Sequence, residues 1–129
     1  MNKPVILVVE DSPIDYDVLV DILGTQNYEF IHPKEINDIL GLVRIRKPNL
    51  IILDIIFLGD DGAGFKLCKQ LKNDPDVKNI PILITSRRTL DTDIKEGKDV
   101  EADSYLGKPY SPYELRQKVQ ELLKIQILS

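Results

Sequence analysis

Several things are scarce in this chain of 129 residues, and each scarcity closes off a class of function. A single cysteine, Cys68, excludes an internal disulfide and suits a reducing compartment. It lies in an apolar row at helical spacing, so it reads as core filler and not as a reactive thiol. No apolar run exceeds the length of a strand, so no membrane span is expected. Met1-Asn2-Lys3-Pro4 leads straight into such a run, without the layout of a signal peptide. Positive charge is outnumbered, 17 Lys and Arg against 21 Asp and Glu, and the net charge of -4 argues against direct nucleic-acid binding. The local basic groups (Arg44, Arg46, Lys47; Lys66, Lys69, Lys72; Arg87, Arg88) read as solvated faces. Repeats, low-complexity stretches and linkers are absent. What remains is one domain, 43% apolar and 29% charged, large enough to bury a core, and expected in the cytoplasm.

Against this background the placement of carboxylates stands out. The apolar run Leu50-Ile51-Ile52-Leu53 ends in Asp54, and Val5-Ile6-Leu7-Val8-Val9 ends in Glu10-Asp11. If both runs are buried strands of a parallel sheet, three negative charges meet at one edge. That is costly unless a divalent cation occupies the site, so the pattern points to a hard-cation site with one carboxylate free for chemistry.

Five short β-type runs, at residues 5–9, about 28–31, 50–53, 80–85 and 104–106, alternate with helical patterns. Runs one, three and four are almost continuously apolar, as strands covered on both faces must be. The first helix opens at Ser12-Pro13, with Asp15 and Asp17 toward its positive end, carries Ile14, Val18, Leu19, Ile22 and Leu23, and closes at Gly24. The second carries Ile36, Ile39, Leu40 and Val43 and breaks before Pro48; the third carries Phe65, Leu67, Cys68 and Leu71 and ends near Asn73-Asp74-Pro75. The last opens with the capping box Ser111-Pro112-Tyr113-Glu114 and runs through Leu115, Val119, Leu122 and Leu123. Between Thr89 and Val100 only Leu90, Ile94 and Val100 are apolar and Gly97 interrupts, so a fourth helix is expected to be short, frayed or displaced. Strand–helix alternation with right-handed crossovers implies an α/β, doubly wound parallel sheet, whose working site lies beyond the C-terminal strand edge.

Glu10-Asp11, Asp54, Thr85 and Lys108-Pro109 follow the first, third, fourth and fifth runs. Together they resemble the motif set of a response regulator receiver domain, the CheY-like phosphoacceptor module of two-component signalling. The likeness rests on Val8-Val9-Glu10-Asp11-Ser12, Leu53-Asp54 with Gly62 downstream, Pro81-Ile82-Leu83-Ile84-Thr85-Ser86, and the stretch from Ala102 to Tyr110. It covers the whole chain, which reads as one receiver domain over residues 1–129. It implies five strands in the order 2-1-3-4-5 with helices on both faces.

The resemblance also implies roles. Asp54 is the expected nucleophile toward a phosphoryl group, forming an acyl phosphate. Glu10, Asp11 and Asp54, with the main-chain carbonyl of Ile56, are expected to hold Mg²⁺. Lys108 is expected to pair with a phosphoryl oxygen, its bond to Pro109 being cis in the family. Thr85 is expected to donate its hydroxyl to the phosphoryl group, and Tyr105 to be the aromatic residue that responds. The implied partners are a histidine kinase or phosphotransfer protein and an unknown output protein or domain; a weak homodimer is compatible. His32 precedes Pro33 at a strand end, so it reads as a strand-end or loop residue and not as a phosphorylated helix histidine.

There are departures. The family often has Met-Pro about four residues after the nucleophile; here the segment is Phe57-Leu58-Gly59-Asp60-Asp61, a loop expected to be more mobile, with Asp60 and Asp61 solvated. The family's Gly-Ala-Asp before the fifth strand appears as Glu101-Ala102-Asp103, and the stretch before it runs one residue long. The expected activity is self-catalysed phosphoryl transfer, not metabolic enzymology. The alternative is a pseudo-receiver that binds a partner without phosphorylation. A related Mg²⁺-dependent phosphohydrolase would want a second acid/base carboxylate two residues after the nucleophile, where Ile56 stands. The chain ends soon after the last helix, compatible with a stand-alone receiver or with part of a larger regulator.

Overall fold

The apolar runs do become strands, and their continuity is explained by helices packed on both sides. A computed structural model describes residues 2–34, 38–56 and 62–128, with backbone alone for 125–128. Its strands are Val5–Val9 (β1), Glu29–Ile31 (β2), Leu50–Asp54 (β3), Ile82–Ser86 (β4) and Ser104–Gly107 (β5). They form one sheet in the order β2-β1-β3-β4-β5, every pair parallel. β3, at the centre, and β4 are buried along their whole length.

The helices are Pro13–Leu23 (α1), Ile39–Arg46 (α2), Ala63–Lys72 (α3), Asp91–Asp99 (α4) and Pro112–Leu128 (α5). Side chains alternate between the faces of a strand, so β1, β3 and β4 feed two cores. Ile6, Val8, Leu50, Ile52 and Leu83 pack with Leu19 and Leu23 of α1 and Leu115 and Val119 of α5. Leu7, Val9, Ile51, Leu53, Ile82 and Ile84 pack with α2 and α3 through Val43, Phe65, Cys68 and Leu71. Each such aliphatic side chain contributes roughly 1.5–3 kcal/mol by leaving water.

The helix starts follow the caps. Ser12 Oγ accepts the Asp15 N–H at 3.2 Å, with Pro13 in the first turn of α1. Ser111 and Glu114 exchange reciprocal 3.1 Å bonds at the start of α5. Ile36 lies outside the described residues, and α2 begins at Ile39 with Asp38 as its cap.

Two expectations need correction. β4 starts at Ile82 rather than residue 80, because Val77 to Ile80 closes a turn and Pro81 has no N–H to pair. Gly97 does not interrupt α4, which runs unbroken from Asp91 to Asp99. A Cβ at Gly97 would lie 2.9 Å from Cδ2 of Tyr105, so glycine is there to let the helix approach β5. The helix is short but keeps its place through Asp93, which is buried, accepts the Leu90 N–H at 3.1 Å and pairs with Arg88 at 2.8 Å.

Candidate functional site

Register decides which carboxylates meet. Val9 lies beside Leu53 and Asp54 beside Thr85, so Glu10 and Asp54 emerge together at the C-terminal edge of neighbouring strands. By alternation they share a face with Val8 and Ile52, which is the face covered by α1 and α5. Oxygens of Glu10, Asp11 and Asp54 lie within 4.8 Å of one another, a group able to hold a metal ion. Glu10 and Asp54 are buried while Asp11 is exposed at the rim.

Lys108 closes the cluster from β5's far end. Its Nζ donates to Glu10 Oε1 at 2.6 Å, Asp15 Oδ2 at 2.9 Å and Asp54 Oδ2 at 3.3 Å. The Lys108–Pro109 peptide is cis. The remaining oxygens are also engaged: Glu10 Oε2 accepts the Ser12 N–H at 3.2 Å and Asp54 Oδ1 the Ile56 N–H at 3.3 Å.

Burial raises the Glu10 carboxyl from 4.5 to about 7, opposed by its bond to Lys108 and reinforced by the charge of Asp54. For Lys108 burial alone would lower the value, but its bonds to Glu10 and Asp15 and the charge of Asp54 outweigh this and raise it. The ammonium therefore stays charged.

These groups line a pocket of about 230 Å³ with Ser12, Ile56 and Arg87. Four carboxylates and two basic side chains line it, leaving two formal negative charges over. An oxygen-rich site with that excess fits a hard dication, and the donor set is the kind Mg²⁺ takes together with waters. Ile56 lines the pocket as expected of the residue two positions after Asp54.

Thr85 and Tyr105 part company. Thr85 is buried beside Asp54, and its neighbour on β5 is Leu106. Tyr105 pairs with Ile84 and packs into the other core, beneath α4. It connects back through the main chain, donating its hydroxyl to the carbonyl of Arg88. Phe57, Leu58, Gly59, Asp60 and Asp61 lie outside the described residues.

Two residues of the site were not anticipated. Asp15, read only as a helix-dipole residue, is a direct partner of Lys108. Its place in the first turn after Asp11 was the available signal, since that turn opens on the same strand edge. His32 donates from Nε2 to the Glu10 carbonyl at 2.7 Å and stacks on Tyr16 with ring centroids 3.7 Å apart. Only the pairing of β2 with β1 reveals that contact.

Comparison with known proteins agrees with this geometry. The family model described as the response regulator receiver domain matches residues 6–120. The transcriptional regulatory protein BaeR of Escherichia coli O6:H1 is 34% identical over 123 residues, 95% of this chain and 49% of BaeR. Protein PilH of Pseudomonas aeruginosa is 30% identical over 118 residues, 92% of this chain and 96% of PilH. Among solved structures, the signal receiver domain of a signal transduction histidine kinase from Syntrophus aciditrophicus aligns with a TM-score of 0.81 at 30% identity, over 94% of this chain and 90% of that one. The chain spans about half the length of BaeR and nearly all of PilH.

Proposed function

We propose a function from one premise: this chain belongs to the response regulator receiver domain family. It is a phosphoacceptor switch of a two-component or phosphorelay system, and we take residues 1–129 as one receiver domain. The observation that carries the assignment of residues is the position of Asp54, at the end of the central strand and within reach of both the acidic pair and Lys108.

In this reading a carboxylate oxygen of Asp54 attacks the phosphorus of a phosphohistidine. An O–P bond forms and the P–N bond breaks, its electron pair staying on an imidazole that leaves neutral because its other nitrogen carries a proton. Glu10, Asp11 and Asp54, with the main-chain carbonyl of Ile56, would hold Mg²⁺, which when bound supplies positive charge toward the phosphoryl oxygens. Lys108 turns an N–H from Asp54 to a phosphoryl oxygen, and the Thr85 hydroxyl donates to another. The acyl phosphate carries close to two negative charges at pH 7 where the carboxylate carried one, and this change is felt at Thr85 and passed along Ser86 to Arg88 to the Tyr105 hydroxyl and α4.

The donor is a histidine kinase or phosphotransfer protein, and the output is another protein or domain read through the last two strand–helix units. Direct contact with nucleic acid or membrane is not part of this reading; no described helix is long and apolar enough to cross a membrane. The place of action is the cytoplasm, where the kinase presents its phosphohistidine. No feature favours a phosphorylation-independent module, since the acidic cluster and Lys108 are assembled and α4 is regular.

Beryllofluoride with Mg²⁺ tests the reading. NMR shifts are expected around Asp54, Thr85 and Tyr105 in the parent and none in Asp54→Asn. An unresponsive parent would contradict it.

A further inference from the structure

Three carboxylates claim one ammonium, and they are not equivalent. Lys108 has three N–H donors, and Glu10, Asp15 and Asp54 occupy them at 2.6, 2.9 and 3.3 Å. The contact to Asp54 is the longest. Glu10 and Asp54 belong to the group that can hold a cation, but Asp15 does not. Asp15 is also the least buried of the three, its side chain 24% exposed against 6% for Glu10 and 12% for Asp54.

Its position is held from behind. The Asp15 N–H donates to Ser12 Oγ at 3.2 Å and the Tyr16 N–H to the Ser12 carbonyl at 3.0 Å, fixing the first turn of α1. From there Asp15 lines the acidic pocket and also an adjoining groove of about 360 Å³, walled by Val18, Arg87, Pro109 and Tyr110. Asp15, Arg87 and Lys108 line both, so the groove opens beside the acidic pocket that holds Asp54.

We propose that Asp15 is a positioning and selectivity residue of the phosphorylation site: a rim carboxylate that holds Lys108 in the resting protein and competes with the incoming phosphoryl group for it. The inference rests on the receiver reading above. Asp15 shares the Lys108 ammonium with the phosphoryl oxygen to which Lys108 turns from Asp54, and the Asp15 charge repels a free anionic donor at the entrance. A protein donor seated in the groove can offset that repulsion with its own contacts; a small donor cannot. Asp15 therefore disfavours small phosphodonors.

The test uses the full chain with Mg²⁺ and acetyl phosphate, labelling being followed by intact mass. The step forms the Asp54 O–P bond and breaks the P–O bond to acetate, which leaves with the electron pair. Asp15→Asn keeps the shape and an oxygen acceptor but removes the charge. Labelling is expected to quicken roughly three- to tenfold at low ionic strength, as for one partly exposed charge, and the gain should shrink with added salt. Asp17→Asn removes the same charge from an exposed position on α1 outside the pocket, and its rate should match the parent. A rate for Asp15→Asn at or below the parent's, a gain indifferent to salt, or an equal gain from Asp17→Asn would overturn the proposal. If the parent takes no phosphoryl group, the receiver reading itself fails and this inference with it. If the parent is labelled and Asp15→Asn behaves identically, only the role of Asp15 is lost.

Discussion

The Tyr105 hydroxyl donates to the main-chain carbonyl of Arg88, tying β5 to the loop that leaves Thr85. Arg88 is itself anchored: its N–H donates to Ser86 Oγ at 3.0 Å, its guanidinium pairs with Asp93 at 2.8 Å and lies 5.7 Å from the centre of the Phe65 ring. Thr85 and Tyr105 face opposite sides of the sheet, so in the proposed switch a change at Asp54 is expected to reach Tyr105 through Ser86 and this loop. The same loop leads into α4, whose start is held by Asp93.

Gly97→Ala is expected to disturb that joint. The new Cβ would meet an aromatic ring atom at 2.9 Å, and Tyr105 or α4 must shift. Overpacking of this kind costs about 1–3 kcal/mol. Denaturant unfolding should show the loss; a midpoint equal to the parent's would mean the ring moves freely.

Glu101→Gly is expected to act in the opposite direction. Glu101 holds φ at 67°, in the left-handed region, on an exposed turn before β5, where the family pattern has glycine. Relieving that conformation is worth about 1 kcal/mol, less the extra freedom glycine has when unfolded. A rise in melting temperature checks this, and a fall would place some stabilising role on the Glu101 side chain.

The acidic pocket carries a pH signature. Burial raises Glu10 from 4.5 to about 7, so the folded protein holds this proton more tightly than the unfolded chain does. The stability that this contributes is fully present below about 4.5 and is lost as pH rises through about 7. In the absence of divalent ions, the parent should lose stability relative to Glu10→Gln across that window. Mg²⁺ affinity should rise over the same window, because the cation competes with the proton. A difference between parent and variant that ignores pH would show that Lys108 keeps Glu10 ionised throughout.

Under the proposed function, the lifetime of the modified form is expected to depend on Ile56 and Arg87, which both line the pocket. Neither is a general base, since isoleucine is apolar and arginine stays protonated. Slow loss of the phosphoryl group follows. A general base or water-orienting group contributes on the order of 10²-fold at full strength, so Ile56→Asn is expected to speed loss several-fold. Loss at the parent's rate would mean that Ile56 does not gate the attacking water.

Much of this was legible in the residues. Continuous apolar runs in β1, β3 and β4 and the caps at Ser12 and Ser111 announced a doubly wound sheet, and strand-end carboxylates announced the acidic cluster of Glu10, Asp11 and Asp54. What escaped depends on tertiary approach. Gly97 looks like a helix breaker until Tyr105 is seen against it. Asp15 looks like a dipole residue until Lys108, 93 positions away, reaches it. Asp93 looks like surface charge in a weak helix, yet it is buried because Arg88 and the Leu90 N–H share its carboxylate.

The most direct measurement is to incubate the protein with a small phosphodonor and Mg²⁺, then map the product by mass spectrometry. The expected result is a gain of one phosphoryl group, located on Asp54, absent in Asp54→Asn and absent without the metal. A phosphoryl group on Asp60 or Asp61, or a gain that survives Asp54→Asn, would contradict it.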